Sequence, residues 1–332
     1  MKKVLALLLA LVMVVCCFAA CGGKKAPAAD DTTAADDTAA PAGDALRFVT
    51  GGEAGTYYAF GSVIAQHATN NAGVKITAIA GNGSQANIQD LEDGNADIAF
   101  CQSDVMAYAY EGTNLFEAPV NCFSTVAALY TEQIQIVTCD PEIKTVADLK
   151  GKNVSVGAAG SGTYFNAIDI LGVYGLTIDD IKPTYQSFGD STDAIKDGTI
   201  DAAFVVAGAP TTAITDLATT KDVFLVSLDE EHQNALIEKS PYYAACTIAK
   251  DVYGLAEDTV TVGVGAVVLA NNTVSEDAVY NLCKDLFDDP AALVSSHAKY
   301  GELSLDYATS ITSVPYHAGA VKYFAEKGIE LK

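Results

Sequence analysis

Arginine is almost missing. Arg47 is the one arginine in a chain of 332 residues, and it sits early in the apolar run LRFV, away from any glycine-rich turn. A bidentate guanidinium clamp on a carboxylate or phosphate is therefore not expected at a site built elsewhere. Basic residues are scarce as a class. There are 19 Lys and Arg against 42 Asp and Glu, a formal net charge of -23. A chain this acidic will not cling to nucleic acid or to an anionic membrane surface, and it has no basic run to act as an exception. Catalytic constellations are lacking too. His67, His232, His297 and His317 are scattered without HExxH spacing, and no GxSxG, GxxxxGK[ST], EF-hand or CxxC pattern occurs. Acid pairs such as Asp179/Asp180 and Asp288/Asp289 lie beside helix ends or turns, where solvation is their expected role. The chain reads as a non-enzyme without cofactor or metal.

Apolar residues, by contrast, make up half of the chain, and the length suits about two domains with a sizeable core. The first apolar stretch is not part of that core. MKK followed by VLALLLALVMVVCCF has the charged n-region and apolar h-region of a signal peptide, and AAC, ending at Cys21, resembles a bacterial lipobox. Cys21 is the expected lipidation site. Gly22–Asp44 is Ala, Asp, Thr, Gly, Pro and Lys with no large apolar side chain. It cannot bury area to offset its chain entropy, so it reads as a flexible tether. The remaining cysteines, Cys101, Cys122, Cys139, Cys246 and Cys283, are odd in number and are expected to be buried small hydrophobes.

The rest alternates β-like and α-like segments, and does so twice. ALRFVTGG, TYYAFGSVIAQHATNNAG, VKITAIAG, SQANIQDLEDG and ADIAFCQSD read as βαβαβ. KNVSVGAAG, TYFNAIDILGVYG, IKPTYQSFG, DSTDAIKDG and IDAAFVVAGAP repeat the recipe. Landmarks agree: Gly55 and Gly162, in GTYY and GTYF, are 107 residues apart, and Gly94 and Gly198, in EDG and KDG, are 104 apart. Two equivalent α/β lobes with parallel strands follow. ALYTEQIQIVTCD reads as a long strand crossing from one lobe to the other, and TVTVGVGAVVLANN as the strand returning. Two crossovers make a hinge, whose usual use is closure around a ligand. The expected division is a signal peptide over 1–21, a linker over 22–44, lobe 1 over 45–138 and 243–332, and lobe 2 over 139–242.

Both GTY turns join a strand to a helix. Glycines there allow close approach, and the first helical turn leaves N–H groups without intrahelical partners. The helix dipole adds partial positive charge, so each turn favours an anion. In open α/β sheets ligands sit beyond the carboxyl ends of strands, where both turns lie. The expected ligand-binding residues are Gly55, Thr56 and Tyr57 on one lobe and Ser161, Gly162, Thr163 and Tyr164 on the other. The alternative is that Thr56 and Thr163 merely cap their helices. A third turn, AGNGSQAN, matches G-x-G-x-x-A, a weak dinucleotide signal with no acid placed to read a ribose. Ser84 and Asn87 there are expected as cap and polar ligand groups. Gln102 and Asp104 end the next strand on the same edge. Asp104 either receives an amino group or is an exposed loop acid. Gly208 and Pro210 are expected to shape the cleft floor.

Taken together, TGGEAGTYYAFGSVIAQ, GNGSQANIQDLEDGNADIAFCQSD, VGAAGSGTYFNAIDILGVYG, GTIDAAFVVAGAP and VPYHAGAVKYFAEKG resemble the TAXI family. These are extracytoplasmic solute receptors of tripartite ATP-independent periplasmic (TRAP) transporters. The likeness runs from Leu46 to Gly328, departing at SPYYAAC, where the family more often has a Pro-Gly-Tyr motif. It implies a type II periplasmic-binding fold with two α/β lobes joined by a hinge. It also implies capture of a small carboxylate or amino acid, glutamate-like or 2-oxoglutarate-like, and delivery to a TRAP-type membrane permease. With Cys21, the expected location is the outer face of the cytoplasmic membrane, held by a lipid anchor. An ABC-type or sensory solute-binding lipoprotein is the alternative, and an enzyme on the type II fold a more distant one.

Overall fold

The structure, a computed structural model, describes residues 45–331. The signal, lipobox and linker expectations, Cys21 among them, lie outside the described residues. Among these residues no helix is long and apolar enough to cross a membrane.

The first β–α alternation runs β1 (Leu46–Val49), α1 (Thr56–His67), β2 (Ile76–Ile79), α2 (Ser84–Glu92), β3 (Ile98–Gln102) and α3 (Ser103–Glu111). The expected crossing strand is β4 (Phe123–Thr138). The second alternation is β5 (Asn153–Ser155), α4 (Gly162–Val173), β6 (Lys182–Thr184), α5 (Phe188–Lys196) and β7 (Ala202–Ala207). It continues through α6 (Thr212–Ala218), β8 (Phe224–Leu225), α7 (Glu230–Lys239) and β9 (Ala244–Ile248). The returning strand is β10 (Thr259–Asn271), followed by α8 (Glu276–Phe287), α9 (Pro290–Leu293), α10 (Leu305–Ala308) and α11 (Ala318–Glu326). Ser275 caps α8 as its sequence predicts, its hydroxyl accepting from Ala278 N, with Glu276 and Asp277 in the first turn.

All strands join one sheet with the path β2-β1-β3-β10-β4-β7-β5-β6. Each outer triplet is parallel internally, as βαβ connections require. The two long strands between them run antiparallel to their neighbours. β4 pairs with β10 from Phe123 to Gln133 and with β7 from Gln133 to Thr138. Gln133 is therefore the point where β4 leaves one lobe's strands and joins the other's. Alternation along the strands sends side chains to opposite faces. Phe48 and Phe100 pack under α1, α8 and α11, while Val49 and Cys101 pack under α2 and α3. The second lobe repeats this, with Val154 and Phe204 in a cluster that includes α4 and Ala203 and Val205 in one that includes α5. The five described cysteines are free; Cys101 and Cys283 are buried and the other three half-buried.

Candidate functional site

The N-termini of three helices meet. Gly55 and Thr56 begin α1, Gly83 and Ser84 begin α2, and Ser161, Gly162 and Thr163 begin α4. All seven residues line one cavity between the lobes, of about 80 Å³ counted as space open to the centre of a water molecule. One water needs roughly 10–15 Å³ on that measure, so the cavity has room for a small organic solute and not for a nucleotide. Gly51, Gly52, Tyr57, Gln102 and Glu132 complete one side; Ser187, Phe188, Val206 and Ala207 belong to the other. Among the described residues that line it, none is Lys, Arg or His.

The lobes are in direct contact around this cavity. Thr56 Oγ1 donates to Gly208 O at 2.9 Å. Ala86 N donates to Gly160 O at 3.0 Å and Ala213 N to Ala54 O at 3.2 Å. Gly162 permits the closest approach: a Cβ there would overlap Gln102 Oε1 and lie 2.5 Å from Gln102 Cδ. Gly83, at φ +99, holds a backbone angle that other residues rarely adopt and brings α2 against Ser161.

Neither threonine caps its helix. Gly55 and Ser161 occupy the N-cap positions without a side-chain capping bond, and Thr56 is instead spent on the other lobe. Ser84 is likewise no cap; its hydroxyl accepts from Gln102 N at 3.0 Å, tying the start of α2 to the end of β3. Gln102 Oε1 and Ser161 Oγ are buried and have no hydrogen-bond partner among the described residues. Tyr57 lies flat on Phe100, with centroids 4.5 Å apart, and donates its hydroxyl to Glu132 Oε2 at 2.8 Å.

Several expected residues stand back from the cavity wall. Asn87 is fully buried and donates to Thr50 O at 2.6 Å and Phe100 O at 2.8 Å, clamping α2 onto the ends of β1 and β3. Asp104 is no exposed loop acid: it is fully buried and accepts from Asn166 Nδ2 at 2.8 Å, across the lobes. Asn166 also donates to the Tyr243 hydroxyl, which itself donates to Asp169. Burial pushes the Asp104 carboxyl up to about 7, against the hydrogen bonds it accepts. Tyr164 is half-buried and packs edge-on against Tyr185. Gly208 contributes its carbonyl to Thr56, and Pro210 is exposed. Arg47 pairs with Asp97 at 2.9 Å, remote from the cavity, as its place in β1 predicts.

Glu132 was not reachable from motif reading. It is buried on β4, on the same face as Tyr130 in the first lobe's core and Ile134 in the second's. Burial raises its carboxyl to about 8, and the Tyr57 hydroxyl and the more distant Lys299 only partly oppose this. The available signal was the one charged residue in a long strand, flanked by Tyr130 and Ile134 at the same side of its alternation.

Solved structures show the same fold at low identity. Similarity to MatC from Rhodopseudomonas palustris, solved with bound malate, has a TM-score of 0.54 at 14% identity, covering 81% of this chain and 94% of that one. A protein of Bordetella bronchiseptica RB50 gives 0.51 at 18% identity, covering 84% and 88%. The alkanesulfonate-binding protein SsuA from Xanthomonas axonopodis pv. citri, bound to MOPS, gives 0.46 at 16% identity, covering 85% and 90%. The architecture is the type II periplasmic-binding fold, two α/β lobes joined by a hinge. The profile of the NMT1-like family matches residues 48–328, nearly all of what lies beyond the N-terminal segment, and the chain belongs to that family.

Proposed function

We propose that the protein is a solute receptor that captures a small carboxylate or amino acid between its lobes and delivers it to a membrane permease of the TRAP type. The observation that carries this reading is the convergence of three helix N-termini on one cavity between the lobes, whose wall also holds the unpartnered Gln102 Oε1 and Ser161 Oγ. One helix terminus contributes about 0.3–1 kcal/mol toward an anion, and up to about 2 kcal/mol when partly buried. Micromolar affinity needs roughly 8 kcal/mol, so several termini, hydrogen bonds and enclosure have to act together. Gly55, Thr56, Tyr57, Ser84, Gln102, Ser161, Gly162 and Thr163 form the binding wall. Asn87, Asp104, Tyr164, Gly208 and Pro210 support it from behind or at the rim. In this reading residues 1–21 direct export, Cys21 carries the lipid, and 22–44 tether the receptor outside the cytoplasmic membrane. Lobe 1 in this reading is the expected 45–138 and 243–332 and lobe 2 the expected 139–242, with the changeover on β4 moved to Gln133, where its pairing passes from β10 to β7.

A thermal-shift screen of the purified protein with amino acids and dicarboxylates identifies the solute. A ligand at 100 times its dissociation constant adds about 2.7 kcal/mol of stability. Thr56→Val and Thr163→Val are each expected to lower calorimetric affinity about fivefold without unfolding the protein. That is the value of one hydrogen bond, about 1 kcal/mol. Unchanged affinity in both variants refutes a site shared by the lobes. Uptake into vesicles carrying the permease distinguishes the transporter class: a sodium gradient should drive it, and a requirement for ATP would assign the receptor to the ABC class instead.

A further inference from the structure

Glu132 is the one acidic side chain that lines the cavity among the described residues, and it brings a carboxyl group to a site read as anion-binding. Its assigned hydrogen bond comes from the Tyr57 hydroxyl to Oε2. No lysine among the described residues forms an ion pair with it, and Lys299, which acts on it only from a distance, is engaged by Glu302 Oε1 at 2.5 Å and Ala209 O at 3.4 Å. Two more acceptors in the same wall, Gln102 Oε1 and Ser161 Oγ, lack partners, and their residues are 2% and 6% exposed. The helix N-termini offer donors; Glu132, Gln102 and Ser161 offer acceptors. A solute that satisfies both must carry an anionic end and a group rich in N–H donors.

We propose that Glu132 is the specificity-determining residue of the cavity and selects a primary ammonium group, so that the solute is a zwitterionic α-amino acid and not a 2-oxo acid or an amine-free dicarboxylate. This rests on the solute-binding reading above and narrows it. The ligand carboxylate takes the N–H groups at the starts of α1, α2 and α4. The ammonium, with three donors, takes Glu132 and the unpartnered oxygens. Charge balance favours this partition. An amino acid brings one negative and one positive group, and its ammonium neutralises Glu132 in a dry site. An amine-free dicarboxylate brings no N–H donor for the unpartnered Gln102 Oε1 and Ser161 Oγ and no cation to draw Glu132 into its carboxylate form.

The same geometry predicts a pH dependence. The groups facing Glu132 are Tyr57 from α1, Gln102 and Cys101 from β3, Asp104 from α3, Tyr130 from β4 itself, Lys299 from the turn before α10, and Tyr307 from α10. The ammonium requires the carboxylate form, whereas burial holds Glu132 protonated up to about pH 8. Binding therefore expels one proton below that pH, and affinity should rise roughly tenfold per pH unit between 6 and 7. Burial pushes the Asp104 carboxyl up to about 7, and its charge raises Glu132 through space. Asp104→Asn should therefore move the slope to lower pH and keep its sign.

The test is calorimetric titration of the wild type with matched pairs: L-glutamate and 2-oxoglutarate, L-alanine and pyruvate, L-leucine and 4-methyl-2-oxopentanoate. It is repeated with Glu132→Gln, at pH 6, 7 and 8. In at least one pair the amino acid should bind 100-fold or more tightly than its oxo acid. Glu132→Gln should weaken that amino acid at least tenfold and abolish the pH slope, with its fold confirmed by circular dichroism. Should the variant not fold, the slope of the wild type alone decides. An oxo acid that binds as well as its partner, with Glu132→Gln neutral or tighter, overturns the ammonium assignment and leaves the receptor reading standing. Failure of every compound to bind folded wild type removes both.

Discussion

At the scale of single residues, two buried carboxyls and one glycine carry most of the chemistry. Asp104 and Glu132 are both raised by burial, to about 7 and about 8. A carboxyl whose folded pKa exceeds its unfolded value gives stability that is full below the unfolded pKa and lost as pH rises through the folded one. For Glu132 that window runs from about 4.5 to about 8. Chemical unfolding should therefore show the wild type losing about 2 kcal/mol between pH 6 and pH 8 from Glu132, and Glu132→Gln should remove that share of the loss. Equal pH dependence in the two proteins would show that Glu132 is ionised throughout. Gly162 acts sterically. A methyl group at 162 collides with Gln102 when the lobes meet, so Gly162→Ala should cut solute affinity at least tenfold by calorimetry. Thermal unfolding of the solute-free variant then checks that the loss is one of binding and not of folding.

At the scale of elements, α2 shows how a polar residue expected at a ligand can be taken up by the fold instead. Ser84 and Asn87 follow a glycine turn at a spacing that suits a ligand cradle. Residues three apart on a helix share a face, however, and that face of α2 meets the strand ends as well as the cavity. Asn87 takes that second course and bonds the ends of β1 and β3. Asn87→Ala removes both bonds inside the core and should cost roughly 2 kcal/mol, seen as a lower urea midpoint with an unchanged slope. The order of strands and helices, the two crossings and the start of α1 and α4 were legible because each is signalled by its own stretch: alternation, a glycine stop, a run without breakers. Tyr164 and Gly208 were not legible in the same way. Whether a ring turns to Tyr185 or to the cavity, and whether a carbonyl meets Thr56, depends on chain far away in sequence.

For the whole molecule, the contact between lobes makes closure directly addressable. A Cβ at Gly52 would lie 3.7 Å from Ser187 Cβ, within the range a disulfide spans. Gly52→Cys together with Ser187→Cys should form a reducible bridge that holds the lobes shut. Solute exchange should then stop under oxidising conditions and return with reductant, and peptide mapping should find the bridge and not a pairing with Cys101 or Cys283. Free exchange in the verified bridged protein would show that solute enters by a route other than hinge opening. That two lobes exist was readable from the repeated landmarks; that both share one sheet was not, since it depends on β4 and β10 pairing over most of their length. The pairing has a kinematic consequence. Glu132 precedes Gln133, where β4 changes partners, and its neighbours Tyr130 and Ile134 are anchored in different cores. It therefore sits near the pivot and moves least when the lobes swing, while the starts of α1, α2 and α4 travel with them. Glu132 can greet a solute before closure begins, and the helix termini are the latecomers that seal it in.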